Sequence, residues 1–394
     1  TQGVSSAASD VYKRQIYKRE NVMKRIYNYL KKDAVLTISW VLAIVSMFFI
    51  KPDKAYAGYI DWRSLGILWS LMIITKGYMQ NGIFEKIGHA LLTRTRKMWQ
   101  LIAVLVGLNF FSSMIITNDV SLITFVPFAI MMLKQCGRQE LMIPVVVLQT
   151  IAANLGSMLT PIGNPQNLYL YGLAGKGIGE FIMWLLPYTI ASALLLVISI
   201  LLIKNKNEII CIEDTDSEAA HNTSVPRVIA YSVLFILALL VVARVLTWYI
   251  LAAAVLITVL LLEKNVLAKA DYALLLTFIG FFIFTGNMGR VEPVAHFLAG
   301  IVNGRELEAG IITSQCISNV PAALLLSEFT DNIKNLAIGV NIGGLGTLIA
   351  SMASLISYKL YANEVPEKKG KYFAVFTVYN IIFLVVLYVF TKLI

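Results

Sequence analysis

Asn154-Leu-Gly-Ser-Met-Leu-Thr160-Pro161-Ile-Gly-Asn164-Pro165-Gln-Asn167-Leu-Tyr-Leu-Tyr171 decides the fold, because it breaks a run otherwise apolar enough to lie in a bilayer. Its prolines and glycines prevent continuous helix and leave backbone N–H and C=O groups without helical partners at membrane depth. Lipid cannot satisfy those groups. Such backbone persists only where it is buried in protein or lines a wet cavity, and there its carbonyls and half-helix ends can hold an ion or a polar solute.

The stretch recurs. Setting Asn341 beneath Asn154 aligns Asn341-Ile-Gly343-Gly344-Leu-Gly-Thr347-Leu-Ile-Ala-Ser-Met-Ala-Ser-Leu-Ile-Ser-Tyr358 with it, ungapped, and Asn154/Asn341, Gly156/Gly343, Thr160/Thr347, Ile162/Ile349, Leu168/Leu355 and Tyr171/Tyr358 are identical. Paired glycine-interrupted apolar segments in two halves of a membrane chain point to a transporter's midplane site. A glycine-rich helix packed closely on a neighbour is the plainer alternative for the second copy.

Composition agrees with a bilayer setting. Hydrophobic residues make up 58% of the 394-residue chain and charged residues 14%, and the mean hydropathy is +0.73, outside the balance of soluble domains. A chain of this length holds about ten spans of roughly 20 residues each. The net charge of +10 sits largely in short segments beside apolar runs, where it sets topology, so no nucleic-acid partner is expected. Cys136, Cys211 and Cys316 are scattered, and His89, His221 and His296 form no cluster. Neither a disulfide framework nor a resident metal or other cofactor is indicated.

Residues 1–22 lack apolar periodicity and precede a start-like Met23, so they are read as a non-native or disordered addition. The run 34–50 is flanked by Lys24, Arg25, Lys31 and Lys32, which place the N-terminus in the cytoplasm of a plasma-membrane protein. A cleaved signal peptide ending near Ala57 is the alternative. In 82–97, Ile83, Phe84, Ile87 and Leu91 share one helical face while Lys86, Arg94, Arg96 and Lys97 lie elsewhere, which suits either an interfacial helix or a basic loop.

The runs 99–116 and 120–133 are separated only by Thr117-Asn118-Asp119 and have basic residues at both outer ends. That is the pattern of a re-entrant hairpin with those three residues at its tip. Segment 204–226 is the one long polar connector, read as a cytoplasmic linker between a first repeat, 23–203, and a second, 227–394. In the second, Asp271-Tyr aligns with Asp61-Trp, and Ser318-Asn319 interrupts 307–329 as Thr117-Asn118 interrupts the first hairpin. Counting crossings puts Asp61 outside and Asp271 inside, so the repeats are inverted, with nine crossings, two hairpins and an external C-terminus. The fold class is all-α polytopic membrane protein, with two inverted-topology repeats containing re-entrant hairpins and broken transmembrane helices.

Thr160-Pro-Ile-Gly-Asn-Pro-Gln-Asn167 resembles the Thr-Pro-Ile-Gly-x-Pro-Pro-Asn signature of the ion transporter superfamily, which includes citrate and dicarboxylate carriers, arsenite permeases and sodium/proton antiporters. The resemblance covers roughly residues 34–394. It implies a secondary transporter of a small anion, with sodium or protons as coupling ion, an elevator motion and a homodimer. Carried over by position, Thr117, Asn118, Gly156 and Thr160 form one cation site, and Ser318, Asn319, Gly343 and Thr347 a second, for transported sodium. Asn154, Pro161, Asn164 and Asn167, with Asn341 and Gly344 from the repeat, complete the candidate substrate and ion-binding set.

The tips depart from the carboxylate carriers' Ser-Asn-Thr, reading Thr-Asn-Asp and Ser-Asn-Val here. The departure puts a carboxylate, Asp119, at the first tip: a proton carrier if desolvation raises its pKa, a sodium ligand if ionised, or a cap on the second half of the hairpin. Arg244, near a span end, is expected to snorkel. The same-class alternatives are an arsenite or antimonite exporter and a sodium/proton antiporter. No catalytic motif of a membrane enzyme appears.

Overall fold

Two aspartates that align between the two halves of the sequence each open a helix. Asp61 Oδ1 accepts the Ser64 N–H at 3.0 Å, and Asp271 Oδ1 accepts the Leu274 N–H at 3.1 Å. Each carboxylate takes up one of the four N–H groups that a helix start leaves unpaired. The chain is described from a computed structural model covering residues 34–92, 95–203, 208 and 224–394, and every element among them is helical. The proposed N-terminal addition and most of the linker lie outside the described residues. The linker's expected end is corrected slightly: Val225 and Pro226 already form the first turn of a helix, since proline at a first turn forfeits no hydrogen bond.

The first-half helices are α1 (Ala34–Phe49), α2 (Tyr56–Tyr59), α3 (Trp62–Gln80), α4 (Ile83–Leu92), α5 (Met98–Ser112), α6 (Asn118–Gln135), α7 (Met142–Ser157), α8 (Pro165–Ala174) and α9 (Ile178–Leu202). The second half supplies α10 (Val225–Val242), α11 (Trp248–Leu262), α12 (Tyr272–Gly289), α13 (Glu292–Val302), α14 (Glu306–Ile317), α15 (Asn319–Leu326), α16 (Ile333–Gly343), α17 (Met352–Glu364) and α18 (Lys369–Thr391). Among the described residues five helices are long and apolar enough to cross a membrane, and four shorter ones are also apolar. Of the segment 82–97, Ile83–Leu92 is helical and Thr95–Lys97 is not. Its counterpart in the second half is α13, which the sequence pattern does not reveal.

The chain divides into two compact units. One joins α1 and α2 to α12, so a segment from each sequence half contributes. Here Asn287 Nδ2 donates to Ser46 Oγ at 2.9 Å and to Tyr56 Oη at 2.8 Å. At the helix end Arg290 Nη1 meets Asp53 Oδ2 at 2.8 Å.

The other unit holds the remaining helices and is built around α7. Its apolar window is 89% buried, against 22% for α18 and 28% for α10. The outer helices turn large apolar side chains outward, Leu202 and Leu261 being 75% and 79% exposed. In water that would be costly; against acyl chains it is the required surface. Polar residues are correspondingly gathered inside, where Gln149 Nε2 on α7 donates to the Leu105 and Phe125 carbonyls of α5 and α6, both at 3.3 Å.

Candidate functional site

Helix α7 stops at Ser157 and α8 begins at Pro165, so residues 158–164 lack helical partners. The sequence supplies replacements locally. Asn164 caps α8, its Oδ1 accepting the Asn167 N–H at 2.9 Å. Asn167 Nδ2 donates back to the Met158 and Thr160 carbonyls at 2.8 and 3.3 Å. In the second half α16 gives way to α17 across Gly344–Ser351, with Gly346 at φ +104°, a conformation closed to L side chains. Gln315 satisfies this break: its Nε2 donates to the Gly343 and Leu345 carbonyls at 2.8 and 2.9 Å, and its Oε1 accepts the Thr347 N–H at 2.9 Å.

Each break is pinned to a hairpin tip by the same contacts. The Asn118 N–H donates to the Gly163 carbonyl at 3.1 Å, and the Asn319 N–H to the Ala350 carbonyl at 2.9 Å. Thr160 Oγ1 donates to the Met114 carbonyl at 2.5 Å, and Thr347 Oγ1 to the Gln315 carbonyl at 3.2 Å. Gly156 and Gly343 allow the close approach: a Cβ on the first would fall 2.1 Å from Phe110 O, and on the second 2.9 Å from Ile311 Cα. All these partners correspond under two registers, one that sets Asn154 on Asn341 for the broken helices and one that sets Asn118 on Asn319 for the hairpins. The duplication is thus present in bonding as well as in sequence.

The two breaks also hold each other. Asn154 Oδ1 accepts from Ser351 Oγ at 3.0 Å and Asn154 Nδ2 donates to Ser354 Oγ at 3.3 Å. Reciprocally, Asn341 Oδ1 accepts from Asn164 Nδ2 at 3.1 Å and Asn341 Nδ2 donates to Asn167 Oδ1 at 2.6 Å. Every member of this clasp is buried. In the register of the broken helices Ser351 and Ser354 fall beneath Asn164 and Asn167, so extending the repeat alignment beyond identities finds them. Gln315, also missed, aligns with Met114 and gives no such signal.

What remains for a ligand is concentrated at the tips. Asn118 Nδ2 donates to Asn154 Oδ1 at 3.2 Å, tying the first tip to the clasp. Asp119 lies in the first turn of α6, half-buried, where a carboxylate meets the positive end of the helix. In the second tip Ser318 adopts φ 76° and ψ 154°, a region nearly exclusive to glycine. Its Oγ is directed toward Asn319 Oδ1 and the Ala350 carbonyl, each at 3.5 Å. Pro161 sits within the first break and Gly344 beside Asn319 Nδ2.

No lysine or arginine occurs in the tips or breaks. Arg244, expected to snorkel, is exposed just beyond the end of α10, where its guanidinium donates to the Tyr171 carbonyl at 3.2 Å and lies 5.1 Å from that ring's centre. Among the described residues no group of three His, Cys, Asp or Glu could hold a resident metal. The chemistry on offer is neutral oxygen, amide N–H, hydroxyl and one carboxylate, suited to a small hard cation and a hydroxylated or anionic solute.

Residues 23–335 match the family of citrate transporters known as CitMHS. The chain is 32% identical to an uncharacterized transporter of Methanocaldococcus jannaschii, over 91% of this chain and 97% of that protein. It is 30% identical to the inner membrane protein YbiR of Escherichia coli, over 85% and 89%. A silicon efflux transporter of Oryza sativa is 31% identical over a shorter stretch, 36% of this chain and 29% of its own length. With its apolar spans and its duplicated breaks, the chain is a multi-pass membrane transporter belonging to the citrate transporter family.

Proposed function

We propose that the protein is a secondary active transporter that moves a small anion of the citrate or dicarboxylate type across the plasma membrane, driven by sodium or protons. The observation that carries this reading is the duplicated junction of hairpin tip and broken helix. Thr117, Asn118, Gly156 and Thr160 surround one candidate cation position, and Ser318, Asn319, Gly343 and Thr347 the other, with the solute between them. With no basic side chain at the breaks, an anion would rest on hairpin amides and half-helix N-termini. Re-entrant hairpins with Thr117–Asp119 and Ser318–Asn319 at their tips belong to the same proposal.

Inverted repeats with the N-terminus cytoplasmic, an elevator motion and a homodimer complete the proposal. A second reading is efflux of a small hydroxylated oxyacid, arsenite or antimonite among them, or sodium/proton exchange. The partial likeness to a silicon efflux transporter favours efflux, as does the absence of a basic counter-ion at the tips. Proteoliposomes with imposed sodium or proton gradients decide: saturable citrate or succinate uptake following a gradient supports the first reading. Arsenite or silicic acid movement without carboxylate uptake supports the second, and unsaturable, gradient-insensitive flux refutes both.

A further inference from the structure

A cavity of about 780 Å³ lies alongside the first hairpin, lined by no residue of either break. Ile83, Ile87 and Leu91 of α4 form one wall, Gly107 and Phe111 of α5 a second, and Phe235 of α10 a third. Its lining is almost wholly apolar, and the bordering hydroxyls are taken up by the Tyr78-to-Ser232 hydrogen bond at 3.0 Å and by the bond between Ser112 and Ser121 at 2.8 Å. Ile87, Leu91 and Phe111 are 47%, 43% and 65% exposed, so the slot opens outward. In a membrane transporter that opening faces lipid.

The slot has the dimensions of one leaflet. Trp99, 38% exposed in the first turn of α5, marks the headgroup level as interfacial aromatics do. From Trp99 to Phe111 the helix descends about 18 Å, close to half of a roughly 30 Å hydrocarbon core. Lys86 on α4, and Arg96 and Lys97 just before α5, are exposed. An apolar slot one leaflet deep beneath a basic rim complements an anionic phospholipid, acyl chain below and phosphate above.

We propose that this slot binds an anionic phospholipid by one acyl chain, with Lys86, Arg96 and Lys97 holding its headgroup. The occupant would lie between the hairpin carrying Thr117 and Asn118 and the helices α3 and α10, so its presence would restrain the hairpin. The inference rests on membrane insertion, not on the solute or coupling ion.

The test is lipid retention by the purified full chain in detergent, titrated with phosphatidylglycerol or phosphatidylcholine and read by native mass spectrometry. Wild type should retain phosphatidylglycerol preferentially. K86Q, R96Q and K97Q combined should weaken that retention by about fivefold per charge removed, leaving phosphatidylcholine unchanged. A Cβ at Gly107 meets nothing within 4 Å, so Gly107→Phe fills open space and should abolish retention without lowering the detergent melting temperature. If that variant misfolds, Ile87→Ser with Leu91→Ser replaces it. Equal retention of both lipids by wild type, or unchanged retention after the slot is filled, overturns the proposal. So does conversion of a dimer to a monomer by Gly107→Phe, which would make the slot a subunit contact.

Discussion

Asn341→Ala should destabilise the protein by about 2–3 kcal/mol, and its cost can be built from the clasp. The native amide donates to Asn167 Oδ1 at 2.6 Å and to the Ala337 carbonyl at 2.7 Å, and accepts from Asn164 Nδ2 at 3.1 Å. After truncation Asn164 Nδ2 still has Ser157 Oγ at 3.2 Å. Asn167 Oδ1 loses its buried donor, a stranding that costs about 1–3 kcal/mol. Side-chain hydrogen bonds between helices in membranes average only ~0.6 kcal/mol, because unfolded helices find other partners in the bilayer, and this holds the total to the stated range.

Asn154→Ala should cost less, about 1–2 kcal/mol, because the hydroxyls of Ser351 and Ser354 can rotate toward backbone carbonyls. It also frees Asn118, so it should impair transport more than its stability loss accounts for. The assay is unfolding in mixed micelles titrated with a denaturing detergent, including the double-mutant cycle of Asn341→Ala with Asn167→Ala. The expected coupling is about 1–2 kcal/mol. A single-variant change below about 0.5 kcal/mol, or an additive cycle, would show that the clasp does not hold the breaks together.

Asp119→Asn should abolish proton-driven uptake in proteoliposomes while costing less than about 1 kcal/mol, the size of a helix-dipole contact; retained coupling would leave Asp119 a structural cap. Ser318→Gly relieves a strained backbone and should melt above Ser318→Ala, with both losing transport if the hydroxyl is a ligand; full activity in Ser318→Gly removes that hydroxyl from the site. Gly156→Ala drives a Cβ onto the Phe110 carbonyl and should abolish the monodisperse size-exclusion peak, whereas Gly107→Ala, with open space around it, should not. Asp53, outside the spans, has its pKa held below the usual 3.8 chiefly by its hydrogen bond from Arg290. That contribution is present above the unfolded aspartate's pKa and is lost as pH falls through the lower folded value, so unfolding followed from pH 8 to 5 should show no step that Asp53→Asn removes.

The duplication is legible in the sequence because its carriers are identical in both halves. Asn154 and Asn341, Gly156 and Gly343, and Thr160 and Thr347 face the same backbone surroundings, and glycine at a close approach has no substitute. The cross-bonds are less legible because a hydrogen bond constrains donor and acceptor, not residue type. Ser351 and Ser354 stand where the first half has Asn164 and Asn167 and the clasp is intact, and Gln315 takes up its carbonyls from a position held by methionine in the first half. The partner of Arg244 is illegible for another reason: a basic residue near a span end is expected to snorkel whatever lies beside it, and only the fold brings Tyr171 beneath it. The pairing of α1 with α12 joins segments from opposite halves of the chain, and no local pattern encodes so remote a partner.

Where cargo can bind is limited by these same bonds. An amide already committed to a buried partner must give up that bond before it can coordinate anything else, at a cost comparable to what the ligand returns. Asn164, Asn167 and Asn341 are so committed, and their oxygens hold one break against the other. Asn118 is committed too, to Asn154, so on the proposed reading selection among ligands falls to what else the tips carry, and there the halves differ: the first has the carboxylate of Asp119, while in the second Asn319 follows the strained Ser318 and precedes a valine. If both junctions served the same ion, exchanging the tip sequences would change little. On the proposed reading, Asp119→Val with Val320→Asp should move the proton dependence to the second junction or lose it, whereas unchanged coupling in that double variant would show that neither tip carries the proton.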